Sequence, residues 1–186
     1  MTELSSVCVF CGSSPGTEPS FAAAAVALGT PVAQREIELV YGGASVGLMG
    51  ILADAALAVG GRVTGVITEA LSGHEIAHGG LARLDVVTSM HQRKHRMAEL
   101  ADAFIMLPGG FGTFEEFTEA VTWRQLRIHE KASGIFNVDG YFDHFLGFVG
   151  HAVEMGFIRS HQAAQIVVSD DPGLLLDQLA AGSLRS

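Results

Sequence analysis

Short β-rich apolar runs alternate with longer stretches of helical periodicity along this chain. Val7–Cys11, Ile37–Tyr41, Arg62–Ile67, Leu84–Thr88, Ala103–Leu107, Ser133–Val138 and Gln165–Val168 read as strands, and helical patterns fall near 19–35, 46–59, 89–100, 113–128, 141–155 and 172–181. A strand apolar at successive positions needs cover on both faces, which parallel strands joined by helical crossovers provide. The expected fold is α/β: a Rossmann-like, doubly wound parallel sheet of about seven strands with helices on both faces. The 186 residues fit a single domain, 1–186, and no repeat, low-complexity tract or linker divides them. Gly29-Thr30-Pro31 interrupts the first helical pattern. Either Thr30 caps a new turn with Pro31 in first position, or the helix kinks there.

In such folds ligands collect beyond the carboxyl ends of the strands. Three strand ends run directly into glycine: Cys11-Gly12-Ser13-Ser14, Tyr41-Gly42-Gly43 and Leu107-Pro108-Gly109-Gly110. The last continues as Phe111-Gly112-Thr113-Phe114-Glu115-Glu116, a loop whose glycines allow close backbone approach to a ligand. A helix starting at Thr113 offers free amides and positive dipole to a phosphate. Thr113 and Glu116 also have the spacing of a capping box, a purely structural alternative. The three glycines upstream favour function. Glu116, three residues into that helix and about 4.5 Å along its axis, would flank a sugar whose 5′-phosphate sits on the helix end.

Composition narrows the partners. The net charge is −9 and 17% of residues are charged. That opposes a general nucleic-acid binder, which needs a basic face, but not a small anionic ligand where positive charge is concentrated. Ser89-Met90-His91-Gln92-Arg93-Lys94-His95-Arg96 concentrates it, placing three of the eleven Lys and Arg residues in four positions. Ser89 with Gln92 makes a second candidate capping box, so these cations fall in a helix's first two turns, where the dipole disfavours them and something must compensate. A solvated basic face is the plain reading; beside a phosphate-shaped loop, an anion clamp built from Arg93 and Lys94 is the better one. No apolar run reaches the ~18 residues of a membrane span and the N-terminus lacks a signal-peptide pattern, so the expected location is cytoplasmic. High hydropathy points to apolar surface buried between subunits.

Taken together these residues resemble the LONELY GUY family of cytokinin riboside 5′-monophosphate phosphoribohydrolases. The resemblance rests on Cys11–Gly16, Val40–Gly43, Gly47–Gly50, Met90–Lys94, Pro108–Glu116 and Asn137–Tyr141. Pro-Gly-Gly-x-Gly-Thr-x-x-Glu beside Arg-Lys is its specific core. Ala44 departs from a frequent third glycine, and Gly29-Thr30-Pro31 from a continuous helix. The resemblance implies a Rossmann-like homodimer with sites near the subunit interface. It also implies hydrolysis of the N-glycosidic bond of a nucleoside 5′-monophosphate, releasing an adenine-type base and ribose 5-phosphate without metal or cofactor. Arg93 and Glu116 would be the catalytic pair; Glu75, Lys94, Gly110, Phe111, Gly112, Thr113, Phe114, Glu115 and Thr122 would contact substrate. The carboxylate of Glu116 would stabilise oxocarbenium charge, orient ribose hydroxyls or activate water. Whether the base is N6-modified or plain adenine stays open, as does a non-catalytic module that holds a nucleotide or phosphorylated cofactor.

Other chemistries fit less well. His74-Glu75-Ile76-Ala77-His78 has the zinc-protease spacing, but Gly73 and Gly79-Gly80 leave barely one helical turn for it. Cys8 and Cys11, three apart on a strand, face opposite sides and form neither a disulfide nor a chelate easily. The dinucleotide pattern fails at Glu115, where glycine is needed, and Walker Gly-Lys is absent. Pyridoxal chemistry, suggested by the lysine decarboxylase label relatives often carry, would have to use Lys94 or Lys131. Phe114, Phe117 and Trp123 are expected to pack the core rather than line a pocket.

Overall fold

The computed structural model describes residues 4–72 and 77–183. Seven parallel strands form one sheet: β1 (Ser6–Phe10), β2 (Glu38–Tyr41), β3 (Val63–Thr68), β4 (Arg83–Val87), β5 (Ala103–Met106), β6 (Ala132–Phe136) and β7 (Ile166–Ser169). Their order is β4-β3-β2-β1-β5-β6-β7. The chain winds outward from β1 to β4, then returns to lay β5 on the other side of β1, in the register Val7 to Ala103 through Phe10 to Met106. The direction of winding reverses between β1 and β5, the point of such a sheet beside which ligands collect.

The helices are α1 (Pro19–Gln34), α2 (Gly47–Ala58), α3 (Glu69–Ser72), α4 (Met90–Leu100), α5 (Phe111–Gln125), α6 (Asp143–Glu154), α7 (Ser160–Ala163) and α8 (Pro172–Ser183). Alternation along β1 sorts the core into two layers. Val7, Val9 and Cys11 pack with Leu28, Leu52, Leu175 and Leu179 under α1, α2 and α8. Cys8 and Phe10 pack with Met97 and Phe117 under α4 and α5. The cysteines are therefore buried free thiols on opposite faces, as strand geometry requires. Among the described residues no helix is long and apolar enough to cross a membrane.

All seven expected strands form. The local differences have causes. Helix α1 runs through Pro31 to Gln34 without a break, so Thr30 caps nothing. Proline removes a single amide donor, less than one turn from the helix end, and Arg35 N–H still donates to Pro31 O at 3.0 Å. Gly29 has its own reason: a Cβ there would lie 2.5 Å from Leu52 O, so its absence sets how closely α1 crosses α2. Strand β6 stops at Phe136, and Val138–Gly140 form a 3-10 turn in which Asp139 has φ 49° and Gly140 φ 70°. The short helices α3 and α7 had no sequence signal long enough to read.

Candidate active site

Three glycine loops meet above β1, β2 and β5. Leu107 N–H donates to Phe10 O, Gly12 N–H to Pro108 O and Leu48 N–H to Gly12 O, so the loops after β1 and β5 are bonded to each other and to the start of α2. Beside them lies a cavity of about 310 Å³ bordered by Gly12–Gly16, Phe21, Pro108–Gly110 and Tyr141. Tyr141 donates its hydroxyl to Gly109 O at 2.6 Å and meets Phe21 edge-on. In the sequence, Tyr141 carries no signal beyond its place in the Asn137–Tyr141 motif.

Helix α5 begins at Phe111, two residues before the expected start, with Gly110 as its N-cap. Thr113 is therefore the third helical residue, and the Thr113–Glu116 capping box does not form. Thr113 is buried instead: its Oγ1 lies where a Cβ on Gly109 would fall, at 2.1 Å. The earlier start leaves the amides of Phe111, Gly112 and Thr113 without an intrahelical acceptor, around an open mouth where a Cβ at Gly110 or Gly112 would meet nothing. Phe111 is 97% exposed there. Glu116 is now about 7.5 Å along the axis from the helix start, its side chain leaning back toward that mouth.

Helix α4 supplies the cations. Ser89 caps it, accepting from Gln92 N–H at 3.2 Å, but the Gln92 amide oxygen reaches past Ser89 to accept from Thr88 N–H and Oγ1. Half of the expected box forms. Arg93 is 6% exposed and runs inward under the strand ends, where Nε donates to Val66 O at 2.9 Å and Nη2 to Gly42 O at 3.0 Å. Its Nη1 lies 3.9 Å from Glu116 Oε1. Lys94 turns to the adjacent face, held by Glu115 and, at 3.0 Å, by Glu119. Arg96 pairs with Asp85 and Glu99. Each cation in these first turns thus has an acidic or carbonyl partner, which is the expected compensation. Glu119 was not anticipated, although its spacing of four from Glu115 puts it on the same helix face.

Glu116 is the unusual group. Its side chain is 12% exposed, and burial pushes its pKa up to about 7 against the opposing pull of Arg93. The neighbouring Glu115 adds to the rise and Lys94 opposes it. A carboxylate this deep, with its charged form only partly compensated by a guanidinium 3.9 Å away, is the kind of perturbed group that marks a functional site.

Not every anticipated residue gathers here. Thr122 lies on the Glu115 face of α5, donates to Thr118 O at 2.7 Å and borders a separate cavity of about 180 Å³ with Phe117 and Phe145. Phe117 is in the core, Phe114 packs on Phe142 and Phe145, and Trp123 touches the rings of His95 and His129. Glu75 and His74 lie outside the described residues. His78, of the same motif, bonds Asp54 through Nε2 and accepts Gly80 N–H at Nδ1. Neither lysine is free: Lys131 donates to Ala98 O.

Residues 49–179 match a family model described as possible lysine decarboxylase. A probable cytokinin riboside 5′-monophosphate phosphoribohydrolase of Oryza sativa subsp. japonica is 52% identical over 163 residues, which is 88% of this chain and 66% of that protein. A cytokinin riboside 5′-monophosphate phosphoribohydrolase of Arabidopsis thaliana is 51% identical over 163 residues, 88% of this chain and 75% of its own length. The chain belongs to the LONELY GUY family. It spans about two thirds to three quarters of these plant relatives. In fold, this family member is similar to the molybdenum cofactor carrier protein of Chlamydomonas reinhardtii, with a TM-score of 0.73 at 18% identity over 97% of this chain and 98% of that one. The molybdenum cofactor binding protein of Rippkaea orientalis gives 0.72 at 18% identity over the full length of both. At that identity the likeness concerns architecture alone.

Proposed function

We propose that this protein hydrolyses the N-glycosidic bond of an N6-modified adenosine 5′-monophosphate, releasing the free base and ribose 5-phosphate. The observation that carries the reading is a buried carboxylate of near-neutral pKa, 3.9 Å from a guanidinium, beside a helix mouth with three unused amides. Its plant relatives, which share half its residues, are named for this reaction.

The phosphate docks on the amides of Phe111, Gly112 and Thr113, where aligned peptide dipoles favour an anion. The ribose then lies over the Arg93–Glu116 pair. As the bond to the base lengthens, positive charge develops on the sugar and ionised Glu116 stabilises it, orders the ribose hydroxyls or takes the proton of the attacking water. Water adds its oxygen to the anomeric carbon, and the base departs with the bonding pair and a proton. Arg93 favours the ionised form of Glu116 against the effect of burial and offsets the phosphate charge. Lys94 offsets one of the two charges of Glu115 and Glu119, which lessens their repulsion of the ligand.

The protein works as a homodimer. Supporting this, Leu126 and Ile128 just past α5 and Phe148 and Phe157 in the α6–α7 region are each at least 64% exposed, more apolar surface than a monomer comfortably leaves in water. The functional test is incubation with AMP and with N6-isopentenyladenosine 5′-monophosphate, followed by chromatography for the free base. Faster release from the modified nucleotide is expected. Release from AMP alone would make the enzyme a plain AMP nucleosidase, and binding of both without any release would make it a carrier.

A further inference from the structure

We propose that Gly42 is a positioning residue for the reaction: its missing side chain is the space in which the Arg93 guanidinium sits. The inference rests on the reading of Arg93 and Glu116 as the working pair. Gly42 and Gly43 both end β2, but for different reasons. Gly43 has φ 77°, a conformation that resists any side chain. Gly42 is not among the residues of positive φ, so its backbone accepts alanine without torsional strain. What excludes a side chain at 42 is a neighbour: a Cβ would fall 2.2 Å from Arg93 Nη2 and 3.0 Å from Met49 Sδ.

The same residue supplies the carbonyl that accepts from Arg93 Nη2 at 3.0 Å, while Val66 O takes Nε at 2.9 Å. Two backbone carbonyls from adjacent strands thus hold the guanidinium by one edge, and the empty Cβ position lets it seat between them. Nη1 is left facing Glu116 Oε1 at 3.9 Å and the Met90 sulfur at 3.8 Å. A methyl group at 42 meets the tip of a long side chain, not backbone. The fold therefore survives, and the arginine is what moves. Displacement by about 1 Å from a catalytic geometry costs on the order of 10²-fold in rate.

The test is a double-mutant cycle of Gly42→Ala and Arg93→Lys, with kcat, the pH–rate profile and thermal melting recorded for each form. Lysine has no Nη2 branch, so the 2.2 Å clash is removed and the methyl group meets only Met49 Sδ, at 3.0 Å, on a flexible side chain. Gly42→Ala alone should melt near the wild-type temperature, lose ~10²-fold in kcat and shift the ionisation of Glu116 to higher pH as Arg93 retreats. In the Arg93→Lys background, Gly42→Ala should cost no more than about threefold, because residues that act through one another are not additive. Gly147→Ala, at an open helical position, should match the wild type. The same loss from Gly42→Ala in both backgrounds, or wild-type kcat and pH profile in the single variant, overturns the proposal while leaving Arg93 in place. Full turnover by Arg93→Ala removes the arginine itself, and this role with it. Should Gly42→Ala fail to fold, recovery of folding with Arg93→Lys supports the proposal and continued misfolding defeats it.

Discussion

A carboxylate surrounded by protein must either give up its charge or find compensation, and Glu116 does part of each. With a pKa of about 7 it is half ionised at neutral pH. Every role assigned to it needs the ionised form, so turnover should climb as pH rises through about 7, and Glu116→Gln should lose that limb. The same variant should lose at least ~10²-fold in kcat while calorimetry still records nucleotide binding, since the phosphate seat is untouched. Stability runs the other way. A carboxyl whose pKa is raised in the fold binds its proton more tightly there than in the unfolded chain, so its contribution is complete below about pH 4.5 and disappears as pH rises through about 7. Urea titrations should show the wild type losing up to about 3 kcal/mol across that window relative to Glu116→Gln. Arg93→Ala should weaken both binding and turnover. By leaving Gly42 O and Val66 O unpaired in the core, it should also cost about 2 kcal/mol of stability.

Among the elements, what could be read in advance was whatever follows from periodicity. Seven strands and the main helices appear where apolar alternation put them, because a strand covered on both faces has few other sequences available to it. Helix α5 shows where local reading stopped. Thr113 and Glu116 have capping-box spacing, yet Gly109 and Gly110 let the turn begin earlier, and Thr113 packs against Gly109 as no spacing rule would reveal. Lys94 is similar: its charge was visible in the sequence, but its engagement by Glu119 depends on how α4 leans against α5. Gly29, which looked like a helix breaker, is a contact point between α1 and α2. Gly29→Ala should accordingly destabilise the fold by about 1–3 kcal/mol by overpacking against Leu52, measured by thermal melting. Ser89→Ala should cost about 1 kcal/mol through loss of its bond from Gln92 N–H, with kcat little changed.

At the scale of the molecule, reversal of strand order beside β1 puts both helix α5 and the Arg93 anchor at one end of the sheet, and this much followed from topology alone. Leu126 and Ile128 past the end of α5, with Phe148 and Phe157 in the α6–α7 region, leave apolar surface exposed. Sedimentation should therefore report a mass near twice the 19.5 kDa chain, and Phe148→Glu should shift the balance toward monomer. The two thiols of β1 have a practical use as well. Burial and the nearby Glu116 charge hold Cys8 and Cys11 protonated, and Cys8, with no exposed surface, cannot reach solvent without separation of the central strand from its helices. The chain thus carries its own stopwatch: with a thiol-trapping dye in excess enough to outpace reclosing, the rate at which Cys8 is consumed should equal the rate at which the whole domain opens, with no reporter group introduced.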